Sequence, residues 1–280
     1  MSQRTCVVVV LTAVLLVLAV PAAAAIQYDF FQKTSSDGPN PPAGELSARA
    51  VVDGARSRVD FISGTMYPPG TYVISTDAAR TLRFIDPLNK SYTEVNVAAV
   101  VSAIGAANIK IDNLKSAVTK LDDRPMIAGL PAEHYRLTIT YDITLTRGLV
   151  LTQSVRTVID RWTTGAFGNV PSAAVAGGPT HTGNPEADEL IALETTKIPG
   201  FTLKELVAIT SSNPRHKQIP GSKLNIPATR TRTRETQVTS VRELSPDPRH
   251  FDVPATYRKS ELDDSLKTQV HTLTFEPSTK

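Results

Sequence analysis

The chain has 280 residues, a formal net charge of +3 and one cysteine, Cys6. A charge this close to neutral argues against a dedicated nucleic-acid binder, and a lone thiol excludes both a disulfide framework and a cysteine-based zinc site. The length suffices for one large β domain or two small ones around a buried core.

Arg4 precedes an apolar stretch from Cys6 to Val20, followed by Pro21 and the run Ala22 to Ala25. A positive region, an apolar core and small residues at an A-x-A-like site read as a secretory signal peptide over residues 1–25, with cleavage after Ala25. The alternative is a retained membrane anchor, but Val7 to Val20 falls short of the ~20 apolar residues a spanning helix needs. Cys6 stands before the apolar core, so it is no lipobox cysteine. Cleavage removes one arginine and no acid, taking the net charge from +3 to +2 over about 255 residues without a thiol. A bacterial periplasmic or cell-surface protein fits this composition better than a disulfide-stapled extracellular domain.

Residues 26–44 end in the cluster SSDGPNPPAG and read as a lead-in loop. Asp53-Gly54 then separates two alternating runs, a hairpin signal in which both turn positions take positive φ. On the second strand Val59 and Phe61 face the core, with Arg58 and Asp60 outward. Tyr72–Thr76, Thr81–Asp86 and Ser91–Val95 continue a meander, with turns at Asp77-Ala78-Ala79 and Pro87 to Lys90. Val97 to Ala107 reads as a short covering helix. Lys110 to Leu121 reads as a strand, although its apolar spacing is also near-helical.

The clearest pattern is His134 to Thr146, HYRLTITYDITLT. Tyr135, Leu137, Ile139, Tyr141, Ile143 and Leu145 alternate with His134, Arg136, Thr138, Thr140, Asp142 and Thr144. Period two marks a long strand of a one-sided antiparallel sheet, which must be covered or must curl around something apolar. A tight turn near Arg147-Gly148 leads to the partner strand Leu149–Asp160. Residues 166–183 form a Gly-, Ala- and Pro-rich insertion. Asn184 then caps a helix with Pro185 first, Glu186 and Asp188 near its start, and Leu190, Ile191 and Leu193 as its apolar side. Phe201–Thr210 is a strand, residues 213–227 a proline-rich loop, Thr229–Leu244 a long strand, and residues 261–280 a tail.

Chemistry-bearing motifs are absent: there is no G-x-S-x-G elbow, P-loop or dinucleotide fingerprint. Ser75-Thr76-Asp77 with His134 makes an imaginable hydrolase set, but nothing marks a strained nucleophile turn or an oxyanion hole. His134, His181, His216, His250 and His271 lack ligand spacing and read as surface or loop residues, and Asp112, Asp122 and Asp123 as solvated turn residues. No catalytic residue, metal or cofactor is expected. Arg230, Arg232 and Arg234 share one strand face. That row is either an anion- or headgroup-binding stripe or, the reading adopted, a solvated edge strand guarded by charge. Trp162 closes its strand as a pocket anchor or a core residue.

The stretches RVDFISG, YVISTDAARTLRFIDPLNKSY, IAGLPAEHYRLTITYDI, RTVIDRW, IPGFTLKEL and TQVTSVRELSPDPRHFDVPATYRK, in that order, resemble a family of bacterial periplasmic domains of unknown function with a LolA-like fold. That family is related to the lipoprotein carriers LolA and LolB. The resemblance rests on Asp86-Pro87 with Tyr92, Gly129-Leu130-Pro131, Trp162 and the Phe251 to Tyr257 segment, and spans residues 46–259. It implies a mainly β (α+β) single domain over residues 45–260. This would be a strongly curved antiparallel half-barrel of roughly eight to eleven strands with a few covering helices. In the carriers such a hollow holds acyl chains. The function expected is therefore non-enzymatic carriage of a lipid or lipoprotein acyl chain, in a cavity lined by Phe61, Phe84, Tyr135, Leu137, Ile139, Tyr141 and Trp162. The alternatives are an envelope interaction module with a self-filled core, docking to a protein partner through the arginines, and a lipid hydrolase.

Overall fold

The computed structural model describes residues 25–37, 44–99, 109–147, 149–168, 170, 184–212 and 229–261. All of the expected leader (residues 1–25) but Ala25, and loop 213–227, lie outside these residues, as do most of the 166–183 insertion and the tail from residue 262. The expected helix over 97–107 is described only at residues 97–99, which are helical.

Strands dominate, as the alternating patterns require. They are β1 (Ala25–Ser36), β2 (Gly44–Asp53), β3 (Arg56–Gly64), β4 (Tyr72–Ser75), β5 (Thr81–Asp86), β6 (Ser91–Asn96), β7 (Ile109–Lys120), β8 (Met126–Ile127) and β9 (Leu130–Pro131). β10 (Glu133–Arg147), β11 (Leu149–Thr164), helix α1 (Pro185–Thr195), β12 (Phe201–Ser212), β13 (Thr229–Leu244), a 3-10 turn (Pro248–Phe251) and β14 (Arg258–Lys259) follow. Twelve strands form one open sheet in the order β14-β6-β5-β4-β3-β2-β1-β13-β12-β11-β10-β7, and β8 and β9 make a separate small hairpin. Among the described residues only β14 runs parallel to its neighbour, β6.

The segment expected to be a lead-in loop is instead the central strand β1, flanked by β2 and β13. Ile26, Tyr28, Phe30 and Gln32 alternate and are all buried. The cluster that suggested a loop overlaps this strand only at Ser35 and Ser36, and its first glycine and proline, Gly38 and Pro39, come after it. At the β2–β3 turn, Asp53 pairs with Arg56, so Gly54 and Ala55 make the turn. Of these only Gly54 has positive φ, +59°; a two-residue turn led by glycine needs just one such residue.

Alternation gives the sheet an inner and an outer row on every strand. The inner rows build two apolar clusters. The first gathers Tyr28, Phe30, Leu46, Val59, Phe61, Val73, Phe84, Phe201 and Leu203. Tyr67, from the loop after β3, stacks on Phe61 with ring centroids 4.2 Å apart and planes at 6°, and lies 6.3 Å from Phe84. The β8–β9 hairpin adds Ile127, and Ala132 follows it into the same cluster. The second cluster joins Leu137, Ile139, Tyr141, Ile143, Val155, Ile159 and Val207 to Ile191 of α1. Burying each large apolar side chain contributes roughly 1.5–3 kcal/mol. On the outer rows Phe251 of the 3-10 turn covers Val51, Tyr72, Ile74 and Ile85.

Helix α1 starts as its sequence dictates. The Asn184 side chain accepts from the Ala187 amide at 3.1 Å, and Pro185 occupies the first turn. Its buried stripe is Ala187, Ile191 and Glu194, not Leu190, Ile191 and Leu193; Leu193 is 60% exposed. Among the described residues no helix is long and apolar enough to cross a membrane.

Candidate functional site

The expected lining residues do not surround one hollow. Phe61 and Phe84 belong to the first cluster, whereas Leu137, Ile139 and Tyr141 belong to the second. Tyr135 is tied into a polar network at the start of β10, donating its hydroxyl to Glu133 at 2.9 Å beneath the Lys120 ammonium, 5.5 Å from its ring. Trp162 stands opposite His134 in the β10–β11 register and is half-buried against the first cluster. Period two fixes which face a side chain takes, but not which part of a long sheet it meets. Between Tyr28, Leu203, Glu205, Thr236 and Val238 lies a cavity of about 10 Å³, room for about one water, where ligand pockets take roughly 300 Å³ or more.

The arginine row overturns the edge-strand reading. β13 is central, paired on one side with β1 and on the other with β12. Registers place Arg230 opposite Ser211, Arg232 opposite Ile209 and Ser36, and Arg234 opposite Val207 and Thr34. These positions share the inner row with the buried Thr236 and Val238. Arg234 donates an Nη2 proton to Glu205 at 2.9 Å, and Arg161 donates from Nε to the other carboxylate oxygen at 2.6 Å. Glu205 is buried. Burial alone would raise its pKa, but Arg161 and Arg234 outweigh it and hold the carboxyl below its usual range. Arg230 and Arg232 make no ion pair with any described residue, and burial followed by the neighbouring charge of Arg230 lowers the Arg232 guanidinium from its usual value.

A second polar cluster went unread in the sequence. His134 is 6% exposed, not a surface residue, and sits between two carboxylates. Its Nδ1 is 2.6 Å from Asp123 Oδ1 and its Nε2 is 3.0 Å from Asp160 Oδ1. Arg136 grips Asp160 with two hydrogen bonds of 2.7 and 3.0 Å, and the Trp162 indole donates to Asp123 at 3.1 Å. Asp123 is thus no idle turn residue, and its hydrogen bond to His134 holds its pKa down. The signal was available: counting outward from Gly148 puts His134 opposite Trp162 and Arg136 opposite Asp160.

The imagined hydrolase set is not assembled. Ser75 on β4 accepts from the Ala79 amide at 2.9 Å and donates to Asp77 at 3.0 Å, while His134 stands seven strand positions away on β10. His250, on the 3-10 turn, packs edge-on against Phe251. His181, His216 and His271 lie outside the described residues.

No family model matches the chain, and no curated protein matches it. Solved structures give distant likenesses. The chain is similar to a LolA superfamily protein from Nitrosomonas europaea at 8% identity, over 82% of this chain and 90% of that one, with a TM-score of 0.31. It is also similar to PNGF-II at 11% identity and a TM-score of 0.36, covering 92% of this chain but 36% of that one. A lipovitellin structure titled for its lipid–protein interactions gives 6% identity, 80% and 26% coverage, and a TM-score of 0.28. Scores this low carry no argument about function.

Proposed function

We propose that this protein is a non-enzymatic binding and interaction module of the bacterial cell envelope, a LolA-like sheet curving as a half-barrel around its own side chains. The observation that carries this reading is the filling of the inner face: Phe61, Tyr67 and Phe84 stack there, and the β8–β9 hairpin is laid over the same cluster. Curvature is supported by Tyr28 of β1 reaching Phe201 of β12 across the intervening β13, with ring centroids 5.2 Å apart. Strands two apart stand roughly 9.6 Å from each other, so the rings lean inward. The envelope location rests on the leader-like residues 1–25 and the thiol-free remainder.

A self-filled interior separates this module from a carrier of acyl chains, the function first expected for it. Phe61 and Phe84 are then structural, and the working surface is the inner row of the β12–β13 half, where arginines replace apolar side chains. Hydrolysis is disfavoured because the Ser75 hydroxyl is spent on its own turn and His134 on two carboxylates. Native mass spectrometry of protein purified from a membrane-containing host tests the reading. A single mass equal to the polypeptide is expected; a stoichiometric lipid or acyl adduct would restore the carrier.

A further inference from the structure

We infer that Arg230, Arg232 and Arg234 form a binding site for a phosphate group, in a monoester or diester, on the inner face of the sheet. This rests on the module reading above and specifies what its working surface takes. Alternate residues on a strand are roughly 6.7 Å apart, so neighbouring guanidinium groups in this row can converge on one tetrahedral oxyanion. The forked donors of arginine match phosphate oxygens in pairs, which a single lysine cannot do.

The charge balance is what singles the row out. Around it stand the guanidinium groups of Arg161, Arg230, Arg232 and Arg234, and Glu205 is the only carboxylate ion-paired with any of them among the described residues. Asp37, at the end of the neighbouring strand, spends its Oδ2 on the Thr231 amide at 2.7 Å. Two donor atoms, Arg230 Nη2 and Arg234 Nε, are buried and make no hydrogen bond among the described residues. A buried guanidinium donor without an acceptor bears the full cost of its desolvation. A central strand keeps such a row only at that cost, and an oxyanion accepting from these atoms removes it. Burial, then the neighbouring Arg230, lower the Arg232 guanidinium from its usual value, but an arginine in a protein keeps its charge at neutral pH. Ser211, opposite Arg230, offers a hydroxyl, and the half-buried Ile209, opposite Arg232, gives an apolar flank for the rest of the phosphate-bearing molecule.

The phosphate has two possible sources, a lipid headgroup or a free phosphate compound, and two arms of one experiment tell them apart. The purified protein and its R230Q/R232Q variant are titrated calorimetrically with inorganic phosphate in a non-phosphate buffer. Both are then sedimented with vesicles of phosphatidylcholine alone or of phosphatidylcholine with one-fifth phosphatidylglycerol. The site requires saturable phosphate binding that weakens at least tenfold in the variant and falls with ionic strength. Phosphatidylglycerol-dependent sedimentation lost in the variant identifies a headgroup site. Phosphate binding with equal sedimentation on both vesicles identifies a free phosphate compound. Phosphate should raise the thermal midpoint of the parent and not of the variant. Without phosphate the variant should melt no lower than the parent, which separates loss of binding from loss of fold. Absence of saturable phosphate binding, or equal binding by both proteins, overturns the site. Neither result alters the polypeptide mass on which the module reading stands.

Discussion

The imidazole of His134 lies flat against the indole of Trp162, with ring centroids 4.1 Å apart and planes at 19°. Both side chains are pinned by Asp123, which meets His134 Nδ1 at one oxygen and the Trp162 indole at the other. One exposed carboxylate thus locks the stack from outside while Asp160 holds it from within. A double-mutant cycle of His134→Ala and Trp162→Ala should give a coupling of about 1 kcal/mol in urea unfolding. His134→Ala alone should cost about 2 kcal/mol, through lost packing and a stripped Asp160. Additive single effects would show that the stack is incidental.

Glu205 is the counter-ion of Arg161 and Arg234, and its side chain is 4% exposed. Glu205→Gln leaves two partly buried cations unbalanced and should destabilise by about 3 kcal/mol. The pH dependence follows from the lowered carboxyl pKa. The stabilisation is present above the unfolded value, near 4.5, and is lost as pH falls through the lower folded value. Unfolding midpoints taken down to strongly acid pH should fall for the parent and stay flatter for Glu205→Gln.

His250 shifts in the same direction as Glu205, but there the neutral form is the one favoured. Burial, then the nearby Arg58 charge, lowers its pKa from the usual 6.5, with Asp60 and Asp247 opposing. The unfolded chain therefore binds the proton more readily, so stability rises as pH climbs from the folded value through 6.5. Replacing His250 with Gln should flatten the stability profile just below pH 6.5. A parent profile already flat there would contradict this.

Gly200 connects the helix to β12 at φ +87°, and a Cβ there would sit 2.5 Å from the Thr164 carbonyl oxygen. Gly200→Ala should cost more than about 2 kcal/mol, since strain and a backbone clash add. Gly129 has φ +78° but open space around it, so Gly129→Ala should cost only about 1 kcal/mol. Thermal or urea unfolding of the pair separates strain from clash.

Strand identity was legible wherever alternation ran unbroken, as in β10 and β13, because a two-residue period reports one buried face. What alternation does not report is order within the sheet. Arg230, Arg232 and Arg234 look like edge protection as a string of letters; only pairing with β1 and β12 makes them interior. β1 was overlooked because the proline- and glycine-rich stretch beside it drew the reading toward a loop. Tyr67 offered only a weak sign, a tyrosine before Pro68-Pro69, although it fills the space between Phe61 and Phe84. The clamp on His134 was more accessible, since a hairpin centred on Gly148 already implies its neighbours. Asp123 is different: it joins from the segment between β7 and β8, a contact that no local period encodes.

Apart from the short edge strand β14, the twelve-stranded sheet consists of two meanders, β1 to β6 and β7-β10-β11-β12-β13, and the seam between them is the pairing of β1 with β13, from Ala25 opposite Leu244 to Ser36 opposite Arg232. β1 must therefore wait for β13, which follows every other long strand of the sheet. Until residues 229–244 dock, one flank of β1 presents a row of unpaired backbone N–H and C=O groups. Loop closure over so great a separation makes joining slow, so the seam should close after the two meanders it unites.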